Sequence, residues 1–309
     1  MARPNTMPPI PVEIPENELS IVKIGGYKTR KLFLKSSKKK KYLIVYGHHS
    51  NIERIYSLAV YLNKYGSVTA VDLPGHAGIS MKWQNPNFNN YADYLKKCIT
   101  GLYQEKDSVN IVTMSYGFII VTTMLQICPD LQQRISKVIS LGSFTSDKQL
   151  NFSPLRKNVF RILCWLFSRN TISWLIEKLI IKNNKRLRQI IEFSMRRSPK
   201  TKGAGKSEFN KIVDMEMNLW SQSDFKTHYK TTLKMLKFSL PNKKISTSLV
   251  NLYSENDQYI VPKKSISAID TIYQNAVHLP VGLSSHAPSL VASSKEIDDF
   301  MPDELIGFL

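Results

Sequence analysis

Short runs of β-branched and apolar residues alternate along this chain with segments that have helical periodicity. Six such runs, each bounded by turn residues, occupy positions 41–46, 67–71, 109–114, 137–141, 248–253 and 276–279. Runs that are apolar on both faces are typical of strands in a parallel sheet. Residues 51–65 place apolar side chains three and four positions apart, as an amphipathic helix does. This alternation predicts an α/β fold, with a mostly parallel central sheet flanked by helices.

The alternation stops after residue 143 and returns at residue 248. Between 144 and 245 the pattern is helical, with a gap rich in glycine and lysine at 196–207. The economical interpretation is an insertion between two strands of one sheet. We therefore predict a core of residues 21–143 and 246–309, with a helical cap (144–245) inserted after the fourth parallel-type strand.

The chain ahead of the first parallel strand contains two further features. Residues 1–20 include five prolines and no apolar run long enough for a secretory signal, so they predict an extended arm. Residues 21–24 and 31–34 predict a hairpin that turns near Gly25 and Gly26.

The positive charge is concentrated in the predicted cap. The chain has a formal net charge of +19, and residues 144–245 contain 22 Lys+Arg against 7 Asp+Glu. A local basic field attracts anionic membranes, acidic substrates or nucleic acid, although a lysine-rich composition alone also produces one. No aromatic and basic platform accompanies this charge, so we expect no nucleic-acid partner.

The most apolar part of the cap is residues 159–181. Arg161, Arg169, Glu177 and Lys178 interrupt it, and a membrane-spanning helix needs about 20 nearly uncharged residues. Two amphipathic helices that meet near Asn170 explain the pattern better. Their apolar faces either cover an active site or rest on an anionic bilayer surface.

The cysteines indicate the compartment. Cys98, Cys128 and Cys164 are odd in number and far apart, which favours thiols in a reducing compartment over disulfides or a metal site. We therefore expect a cytoplasmic protein, and the cap leaves peripheral membrane contact open.

Ser115 lies where a strand passes into a helix. The run 109–114 ends directly before it, and Gly117 follows in the next helical segment. A serine on such a tight turn projects its hydroxyl from the carboxyl edge of the sheet. Small residues two positions before and after the serine relieve crowding, and here they are Thr113 and Gly117.

This segment resembles the nucleophile elbow of the α/β-hydrolase superfamily, with Thr113 where glycine is commonest. Two other segments strengthen the resemblance. Residues 46–49 (YGHH) are similar to the family's H-G-x loop, with Tyr46 in place of its first histidine. Residues 71–80 (VDLPGHAGIS) closely resemble the D-x-P-G-H-G-x-S stretch of hydrolases that carry a lid. The resemblance implies an oxyanion hole made by the backbone N–H groups of His48 and Tyr116.

The resemblance also implies an acid and a base, in the order serine, acid, histidine. Asp257 follows the run 248–253 and matches the family's acid, and His286 follows the last strand and matches its base. Ser115, Asp257 and His286 are therefore the predicted triad. The alternative acids are Asp147 and then Glu255. The four histidines without a matching role are His49, His76, His228 and His278.

These residues imply a serine hydrolase that cleaves a carboxylic ester through an acyl-enzyme. The apolar cap favours a lipid-like acyl ester as the substrate. No metal and no organic cofactor is expected. Acyltransferase or thioesterase activity on the same machinery, or a catalytically silent lipid-binding protein, stays open. A serine at the elbow disfavours the members of the superfamily that use an aspartate nucleophile.

Overall fold

The structure, a computed structural model, describes residues 12–198, 201, 203–283, 286, 288 and 292–309. One sheet contains all the strands named here. In chain order they are β1 (Leu19–Ile24), β2 (Tyr27–Leu34), β3 (Lys41–Val45), β4 (Ser67–Val71), β5 (Val109–Met114), β6 (Ile135–Leu141), β7 (Ser248–Tyr253) and β8 (Ala276–Pro280).

The strand order across the sheet is β1-β2-β4-β3-β5-β6-β7-β8. β1 pairs with β2 and β2 with β4 in antiparallel fashion, and the remaining pairs are parallel. The mostly parallel sheet predicted from the sequence is therefore confirmed. The parallel strands place the residues that follow β3, β5, β6 and β7 at one edge of the sheet.

Ten α-helices occur in the described ranges. They are α1 (Ile52–Asn63), α2 (Phe88–Leu102), α3 (Tyr116–Ile127), α4 (Pro154–Phe167), α5 (Asn170–Ile176), α6 (Asn184–Met195), α7 (Lys206–Gln222), α8 (Phe225–Met235), α9 (Pro262–Asp270) and α10 (Ser294–Phe300). α1 packs against α10, and α2 packs against α3.

The order in which successive strands are added to the sheet reverses next to β3. It moves from β3 outward to β4 through α1, and then back past β3 to β5 through α2. Crossovers between parallel strands are right-handed, so α1 and α2 lie on opposite faces of the sheet. A crevice opens at such a reversal, outside the carboxyl ends of β3 and β5, and ligands of α/β proteins bind there.

Helices α4 to α8 all lie between β6 and β7 in the chain. α4 ends at Phe167 and α5 begins at Asn170, which agrees with the predicted break near Asn170. The division of the chain into a core and a cap domain stays a prediction. No helix in the described ranges is long and apolar enough to cross a membrane. All three cysteines fall within those ranges, and all are free.

Strand pairing corrects two of the predicted boundaries. Leu19 and Ser20, assigned to the arm of residues 1–20, belong to β1, where they pair with Leu32 and Lys31. Residues 1–11 of that arm lie outside the described residues. β6 begins two residues earlier than predicted, because the ladder with β5 extends to Ile135. Residues 199, 200 and 202 of the gap at 196–207 also lie outside the described residues.

Candidate active site

Ser115 occupies a strained turn between β5 and α3. Its φ is +46°, a conformation that few residues other than glycine adopt. The surrounding backbone holds it there, since Ser115 N donates to Leu141 O (2.9 Å) and Ser115 O accepts from Phe118 N (3.0 Å). Strain of this kind clusters at functional sites and is the geometry of a nucleophile elbow.

Gly117 explains why the elbow tolerates Thr113. A Cβ atom on Gly117 would overlap Val45 O and would lie 2.8 Å from Tyr46 O, so no side chain fits there. Thr113 is buried, and its Oγ1 would be 2.6 Å from that Cβ. The close backbone approach therefore occurs after the serine, and the position before it accepts a small β-branched side chain.

Asp257 and His286 are joined by a short hydrogen bond. His286 Nδ1 lies 2.6 Å from Asp257 Oδ2, and the aspartate side chain is only 4% exposed. The other carboxylate oxygen, Oδ1, accepts from Tyr259 N (2.8 Å) and Ile260 N (3.0 Å). These two amides fix the carboxylate in the turn after β7, so its free oxygen is aimed at the imidazole.

Gly142 provides the surface on which the imidazole rests. It directly follows β6 with a φ of +64°, and a Cβ there would lie 2.6 Å from His286 Cε1 and 3.0 Å from Nδ1. Gly142 was not predicted from the sequence. Its signal there is a glycine at the carboxyl end of one predicted strand, and that strand is the neighbour of the one that precedes Ser115.

Ser115 and His286 line the same cavity, of about 460 Å³, together with Gly47 and His48. The structure therefore brings the three predicted triad residues to one edge of the sheet. It joins Asp257 to His286 by a hydrogen bond. No hydrogen bond joins Ser115 Oγ to the imidazole among the described residues.

The two predicted oxyanion donors follow the paired strands β3 and β5. His48 follows Gly47 after β3, and Tyr116 is the first residue of α3, where a helix leaves its amides unpaired. Neither amide donates to a protein acceptor within the described part of the chain. Their rings are neighbours, with centroids 5.4 Å apart.

A group of histidines, of which His76 is buried and His48 and His228 are half-buried, surrounds the loop that follows β3. His48 lies 4.3 Å from His228 and 5.9 Å from His76 between ring centroids, and its Nε2 is 2.7 Å from Thr231 Oγ1. Burial lowers the pKa of His76 to about 3. Desolvation is the main cause that holds the pKa values of His48 and His228 well below the usual range, and the neighbouring histidines are a smaller one. These lowered pKa values favour the neutral form of the three rings. No cluster with metal-binding geometry occurs among the described residues.

His49 contacts a different partner. Its Nε2 lies 3.0 Å from Glu216 Oε2 of α7, so the loop that carries His48 is tied to α7 as well as to α8. No role was predicted for His49 or His228, because nothing in the sequence shows that the helices before β7 return to the loop after β3.

The alternative acids are placed elsewhere. Asp147 forms ion pairs with Lys157 and Arg161 of α4, and Glu255 is exposed. His278 is bound to Asp270 (2.9 Å) and to Asn251 (3.0 Å). None of these three is paired with His286 in the part of the chain that the structure describes.

The cavity continues from Ser115 into the interior, along the side of the sheet that α1 and α10 cover. Ile55 and Leu62 of α1 both line it, and they are separated by a rise of about 10 Å along the helix axis. Its walls are largely apolar and include Leu58, Val112, Ile139, Leu141, Leu252, Ile297, Phe300 and Leu305.

Comparison with known proteins identifies the fold. No family model and no curated protein sequence matches the chain. Among solved structures, it is similar to a Cif epoxide hydrolase from Acinetobacter nosocomialis (14% identity, TM-score 0.64, 94% of this chain and 88% of that one). An enol-lactonase from Burkholderia xenovorans is also similar (10%, 0.63, 90% and 95%). So is a carboxylesterase from Nitrososphaera gargenis (13%, 0.62, 94% and 97%). With this sheet order and elbow, the chain has the α/β-hydrolase fold.

Proposed function

We propose that this protein is a serine hydrolase that cleaves a carboxylic ester, with Ser115 as nucleophile, His286 as base and Asp257 as the residue that orients the base. One observation carries the proposal: the imidazole held 2.6 Å from Asp257 Oδ2 opens into the same cavity as the strained Ser115. The structures similar to this one are named for hydrolases of esters, lactones and epoxides. Those names support hydrolysis as the class of reaction.

The hydrogen bond from His286 to Asp257 selects the tautomer that catalysis needs. The proton stays on Nδ1, so Nε2 keeps a lone pair for the serine proton. Ser115 Oγ attacks the carbonyl carbon as Nε2 takes its proton, and the imidazolium then protonates the leaving alcohol. Water, deprotonated by the same nitrogen, releases the acid from the acyl-enzyme.

The negative charge that develops on the carbonyl oxygen needs fixed donors. The amides of His48 and Tyr116 follow two paired strands and donate to no backbone acceptor among the described residues, so they are the proposed oxyanion hole. Because desolvation and then the neighbouring histidines lower the pKa of the His48 ring, the proposed contribution of His48 is its backbone N–H. A positive charge on the side chain takes no part.

The apolar cavity behind Ser115 favours a lipid-like acyl group over a peptide. Each buried methylene contributes about 0.8 kcal/mol, so a cavity of this kind selects substrates by chain length. A serine with a histidine base attacks acyl carbon, which favours esters over epoxides. Acyl transfer or thioester cleavage would use the same acyl-enzyme with another acceptor or leaving group.

Labelling with a fluorophosphonate, which reacts with activated serines, tests the proposal. We expect wild type to be labelled and Ser115→Ala to be unlabelled. Ser57→Ala is the matched control, because Ser57 lines the same cavity away from the elbow, and it should label like wild type. A wild type that takes no label would point instead to a catalytically silent lipid-binding protein.

A further inference from the structure

Helix α4 is apolar on the side that faces away from the protein. Leu155, Val159 and Ile162 are 76%, 46% and 63% exposed, and their spacing of four and three residues places them in one stripe along the helix. A surface helix normally turns charged or polar residues to water. Ten of the fifteen large exposed apolar side chains of the described chain lie between residues 155 and 193.

Aromatic rings with a cation stacked on them extend this surface beyond α4. α5 packs against α4, and α6 follows it after a single π-helical turn. Aromatic side chains next to Lys or Arg are typical of the boundary between the apolar and polar layers of a membrane. The pairs are Arg169 on Trp165 (4.2 Å), Lys178 on Trp174 (5.0 Å) and Arg197 on Phe193 (3.7 Å).

The same segment carries positive charge that the protein does not neutralise. Its only acidic residues between 155 and 197 are Glu177 and Glu192. Eight exposed basic residues form no ion pair within the described part of the chain: Arg156, Arg169, Lys178, Lys182, Lys185, Arg186, Arg196 and Arg197.

The inner side of α4 lies against the wall of the cavity. Phe160 contacts Phe152 with ring centroids 5.5 Å apart, and Arg161 donates to Leu236 O (2.7 Å from Nη2). Phe152 and Leu236 both line the cavity that contains Ser115. One helix therefore has the cavity wall on one side and an exposed apolar stripe on the other.

We propose that the exposed face of α4 to α6, hereafter the basic apolar face, docks on the surface of an anionic lipid bilayer. The apolar stripe would enter the boundary between headgroups and acyl chains while the basic residues bind the headgroups. A second copy of the chain would bring an equally positive surface against this face and be repelled by it. Anionic lipid complements the positive charge. Docking would bring the cavity next to a source of acyl chains.

Co-sedimentation of the full-length chain with lipid vesicles tests this proposal independently of catalysis, because Ser115→Ala should bind as well as wild type. The probes are vesicles of phosphatidylcholine alone and of phosphatidylcholine mixed with phosphatidylserine. We expect binding at least about tenfold stronger to the anionic vesicles, since each basic residue near the surface contributes to attraction. High salt should weaken that binding.

Two variants locate the contact. Ile162→Ser removes part of the apolar stripe and should weaken binding about tenfold. Arg169→Gln removes one charge and should weaken binding to anionic vesicles about fivefold. The matched control is Ile21→Ser, an equally exposed isoleucine (58%) on β1, which should bind like wild type.

Three results would overturn the proposal: no binding to either vesicle, equal binding to both, or equal loss of binding in Ile162→Ser and Ile21→Ser. A dimer that forms without vesicle binding and is abolished by Ile162→Ser would assign the face to a second copy instead. If wild type binds anionic vesicles but takes no fluorophosphonate label, the proposal of an enzyme fails and the proposal of membrane docking stands.

Discussion

Gly142 and Gly117 serve the site because they have no Cβ atom. Gly117 lets the first turn of α3 approach the carbonyl of Val45, and Gly142 lets the imidazole of His286 approach the backbone after β6 closely. In each case the atoms that leave no room for a Cβ belong to a distant segment of the chain: Val45 O at Gly117 and the His286 ring at Gly142. A change at Gly142 therefore acts on the position of His286, the proposed base, while every side chain of the proposed triad is kept.

Gly142→Ala should lower kcat/KM for an ester by roughly a hundredfold, because a methyl group there displaces the imidazole and a shift of about 1 Å costs that much. Its left-handed φ should also cost about 1–2 kcal/mol of unfolding free energy. Ester hydrolysis and urea denaturation measure the two effects.

Gly26→Ala is the control that separates the effect of backbone strain from the effect of displacing the His286 imidazole. Gly26 has a φ of +83° and open space around its Cβ position, so an alanine there has the same kind of backbone cost with no contact to the site. We expect similar destabilisation and normal activity. If Gly142→Ala kept the activity of Gly26→Ala, the imidazole would not depend on that surface.

Ser115, Asp257 and His286 were predicted from the sequence, whereas Gly142 and the partners of His49 were not. The first three follow predicted strands, and the resemblance to a known family implies their roles. Gly142 acts through contact with His286 across 144 positions of the chain, and Glu216 reaches His49 from a helix of the predicted cap. Contacts of that range depend on how elements pack, which periodicity does not show.

At the level of elements, a buried ion network joins β2, α1 and the end of β4. Arg30 Nε lies 2.6 Å from Asp72 Oδ2, and its two terminal nitrogens bind Glu53 at 2.6 and 2.9 Å. Asp72 Oδ1 also accepts from Tyr46 OH (3.1 Å) and from Ile52 N (3.2 Å). Tyr46 is therefore linked through Asp72 to Ile52, the first residue of α1.

Arg30→Met should lower the unfolding free energy by about 3–5 kcal/mol, because it leaves two buried carboxylates without their cation. The comparison is Lys64→Met, which breaks an exposed ion pair with Asp298 (2.6 Å) and should lower the unfolding free energy by under about 1 kcal/mol. Urea denaturation measures the unfolding free energy of both variants. Equal effects of the two substitutions would contradict a structural role for the network.

The elements themselves were largely predictable. Three of the six predicted core strands have the observed bounds, and the break before α5 was visible from the charges that interrupt residues 159–181. β1 was misjudged, because Leu19 and Ser20 join it through pairing with β2. Their own sequence does not alternate clearly enough to show it.

For the molecule as a whole, the cavity is the feature that the sequence could not give. α1, the strands β5 to β7 and α10 contribute its walls from positions spread over more than two hundred residues. Each of those side chains looks like an ordinary core residue by itself. Only the assembled sheet and helices show that they leave space connected to Ser115, and this connection makes acyl-chain length a property that can be tested.

Leu58 lies on the cavity wall along α1, between Ile55 and Leu62. With p-nitrophenyl acetate, butyrate, octanoate and palmitate, kcat/KM of wild type should rise with chain length, by up to about fourfold for each methylene that the cavity buries. Leu58→Trp should fill the space, so hydrolysis of the acetate should persist while the gain on longer esters disappears. Persistence of acetate hydrolysis reports that the variant is folded. If the variant keeps the chain-length profile of wild type, the acyl group binds elsewhere, and the apolar interior is a packing feature unrelated to substrate.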